Sequence, residues 1–189
     1  MKKILLASLI VFLALLFTPA EGLSGDTYFA RCNLKVVKGS LISWVNWQST
    51  QDIVPVGRKL EVNYNGGKKA QLKDPKTNKE YTLILGAKGE QYLKKFVTKR
   101  RTSIKNFPSS VKKEIKVGLA NIGMNKKQVY IAMGPPANAD GRNTNLMTYS
   151  DIMKTNLWVY KRRRFGKNIG VQFNAESGKV SRTEGIWRR

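Results

Sequence analysis

The chain has 189 residues, 41% of them apolar and 10% aromatic, enough for a folded core and too many for a disordered chain. It contains no histidine and one cysteine, which excludes Ser-His-Asp and Cys-His catalysis, histidine metal sites, zinc-cluster spacings and an intramolecular disulfide. Its 35 basic residues face only 12 acidic ones, a net charge of +23 whose field attracts anionic surfaces.

In chain order, the first feature is a short positive stretch, Lys2-Lys3, followed by an apolar run from Ile4 to Phe17. Thr18-Pro19-Ala20 then supplies a helix breaker and small residues. Charge, apolar core and small-residue site in this order read as a cleavable secretory signal, residues 1–20. The run is shorter than the roughly 20 residues that a bilayer core needs. Cleavage removes two lysines and no acid and leaves +21. The remaining chain is expected to be exported. Cys32 follows Tyr28-Phe29-Ala30-Arg31, which is no lipid-attachment box, so no lipid anchor is expected and Cys32 reads as a buried small hydrophobe. Outside the inner membrane the available polyanions are phospholipid headgroups, lipopolysaccharide phosphates and extracellular DNA.

Residues 28–86 read as a β-rich module. Apolar residues on both faces of 40–47 suit a strand in a small closed sheet. Pro55 marks a strand start or edge, because it cannot donate to a ladder. Lys59 to Tyr64 alternates, Asn65-Gly66-Gly67 signals a hairpin, and Pro75 to Asn78 makes a second turn before 79–86. The pattern predicts a small antiparallel barrel or sandwich of SH3-like size. Trp44 and Trp47 could stack nucleobases on such a module.

Residues 87–110 are expected to be a helical linker. Tyr92, Leu93, Phe96, Val97 and Ile104 fall near helical spacing over 89–104, with basic residues between them on a solvated face. Lys99, Arg100 and Arg101 form a cationic cluster there. Pro108 breaks the pattern, and Ser109 or Ser110 is expected to cap a helix over 111–122 with Glu114 near its start.

Over 122–136, Asn125 and Gln128 make a capping-box pattern, Val129, Ala132 and Met133 an apolar helix face, Gly134 a left-handed C-cap, and Pro135-Pro136 a stop. A polar loop or irregular hairpin is expected over 137–151. Trp158 and Tyr160 alternate on one strand, Val171 and Phe173 on the next, and a turn over Asn174 to Gly178 leads to a third strand.

These blocks in this order resemble the SmpA/OmlA (BamE-like) family over roughly residues 111–185. The matching residues are Gly123, Met124, Gln128, Val129, Gly134, Pro136, Trp158, Tyr160, Val171, Phe173, Asn174, Gly178 and Val180. The resemblance implies an α+β domain over 111–189, with two helices on a three-stranded antiparallel sheet. It also implies residence at the inner face of the outer membrane, contact with the machinery that inserts β-barrel proteins, and contact with anionic phospholipid. Family members are typically lipoproteins little longer than this domain. Here the lipid-attachment cysteine is missing and a β-rich module precedes the domain.

The scattered carboxylates form no catalytic dyad, no glycine-rich loop cradles a phosphate, and no cofactor site is evident, so no enzyme is expected. The expected protein is a non-catalytic envelope protein, periplasmic and peripheral to the outer membrane, that binds envelope proteins and anionic lipid or lipopolysaccharide. Lys161, Arg162, Arg163, Arg164 and Lys167 form its expected anionic-surface contact. Cell-wall targeting and extracellular nucleic-acid binding are the alternatives.

Overall fold

The computed structural model describes residues 25–43, 52–161 and 167–185. The expected secretory signal, Trp44, Trp47 and Arg162 to Arg164 lie outside them. The fold is mixed α+β.

Among the described residues the first half holds eight strands: β1 (Asp26–Ala30), β2 (Leu34–Lys35), β3 (Leu41–Ser43), β4 (Ile53–Val54), β5 (Lys59–Asn63), β6 (Lys69–Asp74), β7 (Lys79–Ile84) and β8 (Val97–Thr98). Six of them form one curled sheet in the order β3-β7-β6-β5-β1-β8, while β2 and β4 pair separately. Alternation sets the faces. In β6, Ala70, Leu72 and Asp74 are buried while Lys69, Gln71 and Lys73 face water. Buried Asp74 is held by Arg58 at 3.6 Å and accepts the Lys76 N–H. The Asn65–Gly67 and Pro75–Asn78 turns stand where their residues demand.

Among the described residues no pairing joins the β3 and β8 edges of the curled sheet. Two expectations for this half fail. β3 runs parallel to β7, not antiparallel. The helix expected over 89–104 is a single turn, α1 (Glu90–Leu93), after which Val97–Thr98 pairs with β1. The apolar spacing there is real, but Leu93, Phe96 and Val97 reach the core from a turn and a strand.

The second half contains α2 (Ser109–Val117), α3 (Lys126–Met133), β9 (Asn138–Ala139), β10 (Arg142–Asn143), a 3₁₀ turn Thr144–Leu146, α4 (Tyr149–Met153), β11 (Leu157–Tyr160), β12 (Ile169–Phe173) and β13 (Val180–Glu184). The three expected strands are β11, β12 and β13, in an antiparallel sheet that β9 and β10 extend to the order β10-β9-β11-β12-β13. α2 begins two residues earlier than expected. Pro108 takes the N-cap with no side-chain cap, Ser109 and Ser110 lie inside the helix, and Gly118 in the left-handed conformation ends it before 122. α3 carries the expected capping box, with Gln128 N–H on Asn125 Oδ1 at 2.9 Å and Asn125 N–H on Gln128 Oε1 at 2.8 Å. Gly134 after it is not left-handed helical. Its φ of 77° and ψ of −167° form an extended conformation open in practice only to glycine. The polar stretch 137–151 holds the β9–β10 hairpin and also the unforeseen α4, capped by a Thr148–Asp151 box.

The core runs without interruption from Tyr28 to Val180, across the residues expected to link two modules. Asn33, 4% exposed, joins the halves. Its N–H donates to Ile131 O, its Nδ2 to Ile115 O at 2.6 Å and Ala132 O at 3.1 Å, and its Oδ1 accepts Val56 N–H. A polar side chain at that depth is tolerated because each of these groups finds a partner.

Candidate functional site

The expected anionic-surface contact lies at the β11–β12 connection. Trp158 and Tyr160 point inward from β11 and anchor it. Trp158 Nε1 donates to Thr155 Oγ1 at 2.8 Å, and Tyr160 OH donates to Gly134 O at 3.2 Å. Lys161 follows directly and is exposed, and exposed Lys167 stands just before β12. The two lysines thus flank one connection on a rigid base. Arg162, Arg163 and Arg164 lie outside the described residues.

The second cluster, Lys99, Arg100 and Arg101, is exposed on the irregular chain after β8 rather than on a helix. Lys99 Nζ sits 2.9 Å from the Asp26 carboxylate and 3.9 Å from the Tyr28 ring centroid. The Asp26 hydrogen bond, foremost, holds its ammonium above the usual lysine range. Among the described residues no hydrogen bond or ion pair links this cluster to Lys161 or Lys167. Twelve carboxylates can pair one-to-one with at most twelve of the 35 cations, so most of the positive charge has no acidic partner.

The apolar motif residues of the second half converge inward, while Gly123 and Asn174 stay exposed. Gly123 N–H donates to Val180 O, and Val180 N–H donates to Met124 O, so the loop before α3 is pinned to the start of β13. Val129 is fully buried. The carbonyl of Pro136 accepts the Thr144 hydroxyl, and Gly134 O accepts Tyr160 OH. Trp158 stacks edge-on with Phe173 at 4.7 Å and with Tyr130 at 5.9 Å, and Tyr130 does so with Tyr149 at 4.9 Å. Such rings add about 0.5–1.5 kcal/mol per pair beyond their buried area. The buried motif residues, Met124, Val129, Trp158, Tyr160 and Phe173, position the surface and offer no side chain to a ligand, while Gln128 closes the α3 cap and Asn174 is exposed.

Lys95 escaped the sequence reading, which put it on a solvated helical face. It is 0% exposed. Its Nζ donates to Thr144 O at 3.0 Å and stands 5.2 Å from the Tyr92 ring centroid. Burial pushes its pKa down from the usual 10.5 to about 8. Around it, Tyr130 OH donates to Lys95 O, Arg31 Nε donates to Lys94 O, and the Arg31 guanidinium lies over Tyr149. The carbonyl Oδ1 of neighbouring Asn145 is buried without a partner. Next to Phe96, and beside a lysine identical to it in chemistry, Lys95 carries no sequence signal of burial. It is enclosed, so its amine serves as a peg between halves and not as a nucleophile.

An open groove of about 660 Å³ lies between the β1–β5 pair and α1, lined in part by Asp26, Tyr28, Tyr64, Glu90, Leu93 and Lys99. Its carboxylates are engaged, Asp26 with Lys99 and Glu90 with Lys94. Cys32 is buried as expected, and burial pushes its thiol up to about 12, which leaves it unreactive. Among the described residues no three carboxylate, cysteine or histidine side chains gather as a metal site, and no helix is long and apolar enough to cross a membrane. Comparisons with protein-family models, with curated proteins and with solved structures find no match to this chain.

Proposed function

We propose that this protein is an exported, non-catalytic envelope protein that works at the periplasmic face of the outer membrane, held there by its cations rather than by an acyl chain. Its second half serves as a BamE-like domain, and its first half as a small SH3-like module fused to it. Support for the domain reading comes from the helices α2 and α3 and the strands β11, β12 and β13 in that chain order, with β9, β10 and α4 inserted between α3 and β11, and from the burial of Met124, Val129, Trp158, Tyr160, Val171, Phe173 and Val180 in one core.

One observation carries the functional reading: 35 basic residues against 12 acidic ones, with exposed Lys161 and Lys167 flanking a connection that also holds three arginines. Each Lys or Arg near an anionic surface is worth about 1 kcal/mol. Five of them give roughly 5 kcal/mol, enough for reversible attachment without lipidation. Envelope protein partners, including the outer-membrane assembly machinery, would then be met on a membrane surface and not in free solution.

Co-sedimentation of the exported form with phosphatidylglycerol-containing vesicles tests this. Binding is expected at low salt and is expected to fall steeply as salt screens the charges. Reversing Lys161 to Lys167 charges to glutamate should weaken it. Binding indifferent to salt and to lipid charge overturns the proposal, as does a strong preference for DNA or peptidoglycan over vesicles.

A further inference from the structure

We infer that the corner between α2 and α3 is the part of the surface that enters the bilayer, with Val117 and Ile122 reaching the acyl boundary and lysines around them at phosphate level. The inference rests on the reading that the protein works at an anionic membrane and names the face that touches it.

α2 is stopped by Gly118, and the chain folds back at once, with Leu119 N–H donating to Glu114 O. The loop then sorts its apolar residues. Ala120 and Met124 go into the core, 3% and 2% exposed. Val117 and Ile122 stay outside, 52% and 65% exposed. The loop is held in this form: Asn121 Oδ1 accepts Ile122 N–H at 2.9 Å, and Gly123 and Met124 are hydrogen-bonded to Val180. The two aliphatic side chains are therefore presented by a fixed backbone.

A lone exposed aliphatic residue is ordinary on a protein surface. What distinguishes this corner is its rim. Residues 109–128 hold five lysines and one acid, Glu114. Lys113 and Lys116 are exposed on α2, Lys127 is exposed on the first turn of α3, and exposed Lys179 faces Asn125 across a β-bridge. Glu176, in the β12–β13 turn, is the acidic group nearest to them in the chain on that side. An apolar tip inside a cationic rim matches the layering of an anionic bilayer, where acyl chains lie beneath phosphates. Lysine stems lie along apolar surface while their ammonium groups stay at the charged layer, so the rim can follow the tip inward.

An environment-sensitive fluorophore on Ile122→Cys tests the assignment. Buried Cys32 does not compete for the label. Vesicles containing phosphatidylglycerol should shift the emission at 122 to the blue and brighten it, while phosphatidylcholine vesicles should not. A label on Leu146→Cys, 73% exposed on the 3₁₀ turn, should stay in water. The Val117→Ser, Ile122→Ser double variant, checked for folding by circular dichroism, should bind vesicles at least about tenfold more weakly. Co-sedimentation without a shift at 122 overturns the corner while the membrane reading stands. Failure of the unaltered protein to co-sediment overturns both. A shift that appears without lipid as protein concentration rises assigns the corner to a second copy of the chain, and also overturns the inference.

Discussion

Lys95 puts an ammonium group where water does not reach and compensates it only with carbonyl oxygens and ring faces. Burial without a carboxylate disfavours the charged form, which is why its pKa falls to about 8. The unfolded chain keeps the ordinary value. Below about pH 8 both states hold the proton and the penalty is fully present. Between about 8 and 10.5 the unfolded state binds more protons than the folded one, so this residue makes stability rise with pH. The full span amounts to roughly 3 kcal/mol. Buried Tyr130 and Tyr160 act the other way from about pH 10 upward, because burial raises their pKa values and unfolding then releases protons. Urea titrations of the protein and of Lys95→Met between pH 7 and pH 10 separate the two effects. The unaltered protein is expected to gain stability relative to the variant across that window. Parallel curves would show that Lys95 titrates normally. Nothing in the sequence distinguishes Lys95 from Lys94. Only the arrival of the 144–145 carbonyls from the other half, 49 residues away, makes one of them a peg.

Elements were legible where a local code specified them. The capping box at Asn125 and Gln128 needs only four consecutive residues, and α3 begins there. Asn125→Ala should cost about 1 kcal/mol, measured by denaturant unfolding, because it leaves the Gln128 N–H unpaired at the helix start. A change below a few tenths would mean that packing alone fixes this end. The hairpin turns at Asn65–Gly67 and Pro75–Asn78 were readable for the same reason. The Thr148–Asp151 box obeys the same code but was hidden in a stretch whose polarity suggested a loop. The helix expected over 89–104 fails for the opposite reason. Its apolar spacing satisfies a helix, but β1 offers Val97–Thr98 a strand edge, and long-range pairing overrides periodicity. The parallel β3–β7 pair is of the same kind, since no local signal reports which distant strand will lie alongside.

The whole molecule has one core, not two. Asn33 hydrogen-bonds to α2 and α3 from the first half, Tyr130 reaches back to Lys95, and Arg31 covers Tyr149. Urea unfolding followed by tryptophan fluorescence and by far-ultraviolet circular dichroism should therefore give a single, coincident transition. Two separated transitions would show that the halves are independent after all. The sequence by itself determined the strong positive charge, the absence of histidine chemistry, the α+β class, the turns and the capped helix. Those follow from composition and from interactions within a few residues. Tertiary structure alone decided that the expected linker is a strand and a peg, that the two halves share a core, and that Val117 and Ile122 face water while Ala120 and Met124 do not. Each of these depends on which distant backbone groups and side chains meet, and a residue's own chemistry carries no record of that meeting.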